Sequence, residues 1–305
     1  MKTKILFRLF STILITIICI SQDLLGQSTR MDSLIYGKDL ELIDGAIPMY
    51  CAAQCENRGK EAQLLLQNLV ETYSSDDRNV FKLKLAVIDS SQWTGFADPY
   101  GFFFIRQGWI VIPGDLDFQK LSHLWGYYQF TDVMKQNLAE ISNNPENLLT
   151  DVLYNFVISH EVGHYYNNNI LHAYTPDYWT SEWMASYIAT DFLYKFDENA
   201  VKAFSIFTST FTDEFEPEYR KLSDFNLKYA SVGLKNYVWY HCMFQPMIED
   251  IYSQYGFDFT EIFAKAFPNT DEPKEYAQED LLNKLDNITD GITSKWIGIM
   301  EGTSE

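Results

Sequence analysis

A chain of 305 residues, 47% hydrophobic and 16% aromatic, has the apolar surface for a sizeable core, which excludes a disordered chain. Its 42 acidic against 23 basic side chains give a formal charge of −19, which argues against nucleic acid or an anionic membrane surface as partner. No internal repeat, low-complexity tract or Pro/Gly linker divides the sequence. The expectation is therefore a leader over residues 1–21 and a single domain over 22–305.

Lys2, Lys4 and Arg8 overlap an apolar run from Ile5 to Ile20, the pattern of a secretory signal peptide. Cleavage after Ser21, with Gly26 as a second candidate, removes three positive charges and takes the formal charge from −19 to −22. An uncleaved N-terminal anchor is the alternative and the sole route to a membrane, although about sixteen apolar residues is short for a span. Lipid attachment at Cys19 fits less well, because Ile18 stands where a small residue is wanted. The expected location is exported: periplasmic, extracellular or envelope-associated. Cys51, Cys55 and Cys242 then remain. The i, i+4 spacing of the first two is awkward for a mutual disulfide, and a bridge from one of them to Cys242 suits an oxidising compartment. Buried core cysteine is the default reading.

A mainly helical stretch from about Leu40 to Tyr73 ends at the polar cluster Ser74-Ser75-Asp76-Asp77. Residues 81–88 start with strict alternation and turn fully apolar, as a strand does. Apolar runs at 102–105 and 109–112 flank Arg106-Gln107-Gly108, and Pro113-Gly114-Asp115 closes a small sheet of about three strands. One of these runs is a candidate open edge, to which an extended peptide could add as a strand.

The next helix opens at Asn144-Pro145-Glu146, a capping residue followed by Pro at the first helical position. Leu149, Val152, Leu153, Phe156, His160, Gly163 and His164 share one face at 3-4 spacing. The two His continue a buried stripe and so point into the protein. Gly163, costly inside a helix, suits close approach by another segment. The helix should fray at Asn167-Asn168-Asn169. A further helix opens near Thr175-Pro176-Asp177 and carries Glu182, Trp183, Ala185, Ser186 and Ala189. From Ala200 onward the pattern is mostly helical and rich in aromatics.

His160-Glu161-Val162-Gly163-His164 carries the chemistry. Two imidazoles four residues apart on a helix project from one face and can share a metal ion. Zinc in a hydrolytic site wants three protein ligands and an open position for water. Glu182 is the best third ligand, brought back to the two His by a reversal between the helices. Glu161 is then the general base, taking the proton of a water whose pKa zinc has lowered.

His160-Glu-Val-Gly-His164 with a downstream Glu182-x-x-Ala185-x-x-x-Ala189 resembles the gluzincin metallopeptidases. The closest texture is that of the HtpX and CAAX-prenyl-protease-like family with its soluble relatives, and the ImmA/IrrE-type zincins are the second choice. In the first family an Asn-Ala-Phe-Ala-like segment and an apolar strand precede the zinc helix. Here Thr94-Gly95-Phe96-Ala97 and then Trp109-Ile110-Val111-Ile112 occur in the same order. The resemblance spans roughly residues 64–193. It implies a mainly helical α+β zincin-like domain with a small sheet before the zinc helix, and a peptide or protein substrate. Ser186 stands where these families place Asp or Asn to support a zinc-binding His; as a neutral group it should raise ligand basicity less.

Bland readings stand beside these. His241, among Tyr237, Trp239, Tyr240 and Phe244, reads first as a satisfied core His and second as a stabiliser of a tetrahedral oxyanion. His172 is a weaker candidate for that second role, and His123 has no supporting context. Asn287-Ile288-Thr289 fits a glycosylation acceptor in a host that modifies such sites. The rivals to a metallopeptidase are a catalytically impaired binding or assembly protein of the same fold, a zinc hydrolase of a non-protein amide or ester, and a metal-free helical interaction domain.

Overall fold

The computed structural model describes residues 28–74, 81–89, 92, 103–115, 131–270 and 274–303. The leader, the segment Thr94-Gly95-Phe96-Ala97 and His123 lie outside the described residues.

The first half of the chain builds a five-stranded sheet with helices on both faces. In chain order come α1 (Ser28–Tyr36), β1 (Glu41–Ile43), β2 (Met49–Cys51), α2 (Glu56–Tyr73), β3 (Lys84–Ile88), β4 (Phe104–Arg106) and β5 (Trp109–Pro113). The strand order is β1-β2-β3-β5-β4, with parallel central pairs and antiparallel outer ones. Both faces of the central strands are covered, so β3 and β5 read as apolar runs without alternation. Met31 and Ile35 of α1 cover Ala86, Ile88, Trp109 and Val111, while Leu85, Val87, Ile110 and Ile112 join the main core on the other side. Gln107 and Gly108, with φ of 56° and 77°, form the two-residue turn that folds β4 back on β5.

The sheet corrects one expectation. Residues from Leu40 to Tyr73 are not one helical stretch: β1 and β2 occupy its start, and the helix begins at Glu56. Met49 and Cys51 are buried with Tyr50 between them, a period of two that three residues are too few to reveal in sequence.

The second half is helical: α3 (Asp132–Ala139), α4 (Pro145–Asn169), α5 (Tyr178–Phe196), α6 (Glu198–Glu214), α7 (Leu222–Lys228), α8 (Leu234–Tyr255), α9 (Phe259–Ala266), α10 (Gln278–Thr289) and α11 (Ile292–Glu301). The fold is α+β and mainly helical, with the small sheet ahead of the His-bearing helix α4. Asn144 caps α4 by accepting from Asn147 N at 3.3 Å, with Pro145 in the first turn. Asp177 and Thr180 form a reciprocal capping box at the start of α5.

Apart from half-buried Ser181, helix α5 is buried from Trp179 through Leu193, and packs among α4, α6, α7 and α8. Its buried Asp191 accepts from Tyr73 at 2.7 Å and Tyr252 at 2.8 Å, and meets Lys195 Nζ at 2.7 Å. No helix among the described residues is long and apolar enough to cross a membrane.

Helices α4 and α5 touch at Gly163. A Cβ there would lie 2.6 Å from Ala185 O and 2.9 Å from Ala185 Cα, both backbone atoms that cannot swing aside. Gly163→Ala gains up to about 1 kcal/mol of helix propensity but forces the two helices apart, at about 1–3 kcal/mol. The net result expected is a lower denaturation midpoint. Metal affinity should also weaken, although no ligand has changed, because His160 and His164 move away from Glu182. Denaturant melts and metal titration of the variant beside wild type check both effects.

Two further expectations change. Cys51, Cys55 and Cys242 are all buried thiols, and none of them forms a disulfide among the described residues, so the proposed bridge to Cys242 is absent. Cys51 and Cys55 sit where β2 leads into α2, whereas Cys242 lies on α8. The Asn287-Ile288-Thr289 segment falls inside α10, and the Thr289 hydroxyl is buried, donating to Leu285 O and paired with Thr293. The acceptor Asn287 is itself exposed, but on a helix rather than in a surface loop.

Candidate metal centre

Four helices, α4, α5, α6 and α8, and one strand edge converge on a cavity of about 400 Å³. Helix α4 contributes His160, Glu161 and His164, α5 contributes Glu182, and α8 contributes Tyr237 and His241. Phe103, Phe104 and Ile105 close the strand side, and Phe156, Phe204 and Phe207 give the cavity an apolar wall.

The ligand-type atoms of His160, His164 and Glu182 all lie within 4.8 Å of one another, and this group can hold a metal ion. His160 Nε2 is 3.0 Å from Glu182 Oε2 and 3.1 Å from His164 Nε2. His164 Nε2 is 3.6 Å from the same carboxylate oxygen. The outer ring nitrogens are oriented as well: His160 Nδ1 meets Ser186 Oγ at 3.1 Å and His164 Nδ1 meets Ser181 Oγ at 3.3 Å. Such outer hydrogen bonds fix which nitrogen faces a metal. The α4 stripe that buries Leu149, Val152, Leu153 and Phe156 also delivers both rings to this place.

Glu182 is held by more than the His pair. Tyr229 donates to its Oε1 at 2.7 Å and Tyr237 to its Oε2 at 3.0 Å. Sequence reasoning misses both tyrosines as functional residues. Tyr237 stands one helical turn before His241 on α8, a spacing that places the two on one face and is the one signal available for it. Tyr229 follows α7 and carries no local signal. His241 Nε2 lies 3.6 Å from Glu182 Oε2, is buried, and has no hydrogen-bond partner among the described residues, while its Nδ1 is 3.4 Å from Ser186 Oγ. The reading of His241 as a satisfied core residue therefore does not hold. His172 is exposed at a φ of 50°, beyond the end of α4, and does not line the cavity.

Glu161 sits between the two His and turns towards the sheet. Its Oε2 accepts from Ile105 N on the edge strand β4 at 2.9 Å. The general-base candidate is thus oriented by a backbone donor, beside the ligand set and in the same cavity.

The charges follow from burial and pairing. Burial pushes the Glu182 carboxyl up, but His164 and His160 prevail and hold it well below the usual carboxylate range. Burial likewise opposes a charged His164, yet the Glu182 carboxylate holds its pKa above the ordinary 6.5. Burial keeps His160 below its ordinary value and takes His241 down to about 3. In the metal-free site the Glu182 carboxylate thus favours a proton on His164, while burial disfavours one on His160 and His241. A metal ligates only an unprotonated ring, so affinity should decline as pH falls through the raised His164 value.

Comparison with family models, with curated proteins and with solved structures finds no match to this chain.

Proposed function

We propose that this chain is an exported zinc metallopeptidase of gluzincin type. The observation that carries the reading is the convergence of two His and one Glu beside an independently held Glu161, in a cavity bounded by a sheet edge. A tetrahedral zinc ion with bonds of about 2.0–2.1 Å to nitrogen sets its ligand atoms roughly 3.4 Å apart. The 3.0, 3.1 and 3.6 Å separations among His160, His164 and Glu182 bracket that value.

Zinc held there supplies a water of pKa near 7 and a Lewis acid for a scissile carbonyl. The remaining work falls to the chain. Glu161, aimed by Ile105 N, takes the proton of the attacking water and returns it to the leaving amine. His241 lines the same cavity and offers a donor to the developing oxyanion. The Phe156, Phe204 and Phe207 wall excludes water around them.

One observation favours a second reading, a zinc hydrolase of an apolar non-protein amide or ester. Glu161 occupies the Ile105 N–H that faces the site, so a peptide adding to β4 as a strand must displace that bond. A compact apolar substrate need not.

The test is metal content and hydrolysis by purified protein. The expected results are stoichiometric zinc, turnover of an unfolded polypeptide, loss of turnover on chelation and recovery with zinc. Stoichiometric zinc with hydrolysis of small apolar esters or amides alone selects the second reading. Absence of metal overturns both.

A further inference from the structure

Ser186 Oγ lies between two imidazoles, 3.1 Å from His160 Nδ1 and 3.4 Å from His241 Nδ1. The hydroxyl has one hydrogen to give, so it cannot donate to both rings. Which way it points follows from the other nitrogen of His160. That Nε2 faces His164 Nε2 and Glu182 Oε2 and is the atom available to a metal. A ligating nitrogen carries no proton, so the proton of a neutral His160 resides on Nδ1 and is donated to Ser186 Oγ. The Ser186 hydrogen is then free to be donated to His241 Nδ1. A neutral His241 that accepts at Nδ1 carries its proton on Nε2. That Nε2 is buried, has no hydrogen-bond partner among the described residues, and lies 3.6 Å from Glu182 Oε2, on a ring whose residue lines the cavity. A buried donor without an acceptor is costly, and an incoming oxygen in the cavity would satisfy it.

We propose that Ser186 is a positioning residue that relays hydrogen-bond direction from His160 to His241, fixing His241 as a neutral Nε2–H donor to a substrate oxygen. This rests on the proposed hydrolytic function for the identity of the oxygen, but not for the direction of the relay. It also gives a reason for Ser at a position where a carboxylate looks stronger. Asp accepts only, so it would take a proton from both Nδ1 atoms and leave His241 Nε2 a bare lone pair. A hydroxyl accepts from one ring and donates to the other.

The test uses full-length protein loaded with zinc and labelled with 15N-histidine; with five His in the chain the spectrum is sparse. The His241 resonances are assigned by their loss in His241→Gln. Long-range 1H–15N correlations should show the wild-type His241 protonated at Nε2 and bare at Nδ1. Protonation at Nδ1, or a metal-bound Nε2, overturns the proposal. Ser186→Ala should keep stoichiometric zinc and KM while kcat falls about 10–100-fold, the range for loss of an outer hydrogen-bond partner. Ser186→Asp should bind zinc at least as tightly as wild type, shift the His241 proton to Nδ1, and lower kcat at least as far as Ser186→Ala. A Ser186→Asp variant as active as wild type overturns the relay. If the wild type hydrolyses nothing, the proposed function fails, and the tautomer of His241 still decides the direction of the relay.

Discussion

Glu161→Gln is expected to lower hydrolysis by about 10²–10⁴-fold, the contribution of a positioned general base, while zinc stays bound. The substitution is nearly isosteric. The amide oxygen can still accept from Ile105 N, which Glu161 Oε2 does at 2.9 Å, so the tie between α4 and β4 survives. Neither His is touched, and Glu182 keeps its tyrosine donors. What the amide cannot do is take a proton from water. The diagnostic pattern is therefore unchanged metal content and an unchanged melt with kcat lost. Full activity in Glu161→Gln would sink the mechanism, and loss of zinc in that variant would mean that Glu161 is a ligand.

Glu182→Ala should lose the metal. Removing an outer hydrogen-bond partner of a metal ligand costs about 10–100-fold in affinity, and removing the ligand itself should cost more. The substitution also takes a partner from Tyr229, Tyr237 and His160, each of which uses the carboxylate. A buried polar group that loses its partner costs about 1–3 kcal/mol, so Glu182→Gln is the necessary companion. Gln still accepts from a tyrosine hydroxyl but is a far weaker ligand.

Expected results are a folded Glu182→Gln protein with little bound zinc, and a Glu182→Ala protein that is both metal-free and less stable. Elemental analysis and thermal melts separate the two effects. Stoichiometric zinc in Glu182→Ala would remove Glu182 from the ligand set. In the metal-free protein the depressed Glu182 pKa adds a sign. Its contribution to stability is present above the ordinary carboxylate value near 4.5 and is lost as pH falls through the lower folded value. The Gln variant should lack that acid-side loss.

Much of this is legible in residues close together in sequence. The α4 stripe is a 3.6-period pattern with a capping Asn and a first-turn Pro, and that pattern alone turns His160 and His164 inward. The close approach at Gly163 follows from the cost of glycine in a helix, and Ala185 supplies the partner. Residues 84–88 and 109–113 are readable as strands because they are apolar on both faces. Strands β1 and β2 are not, since three residues hold too little periodicity.

The site's outer partners are hidden for a different reason. Tyr229 and Tyr237 reach Glu182 across 47 and 55 residues of chain. That meeting depends on how α8 folds back over α5, which no local pattern encodes. The cysteines show the same limit: spacing permits a bridge to Cys242, but tertiary placement leaves three buried thiols with no disulfide between them.

The burial of α5 bears on the kinetics of the site. This helix has no solvent face along the stretch that carries Glu182 and Ser186, so its backbone amides can open only with the whole core. Hydrogen exchange there should approach the global unfolding limit. The strand wall is cheaper to move, because β4 is a three-residue edge strand. Metal and substrate should therefore enter and leave past β4, and the exchange rate of the ion should track the fraying of that strand rather than any motion of the helix that holds its third ligand.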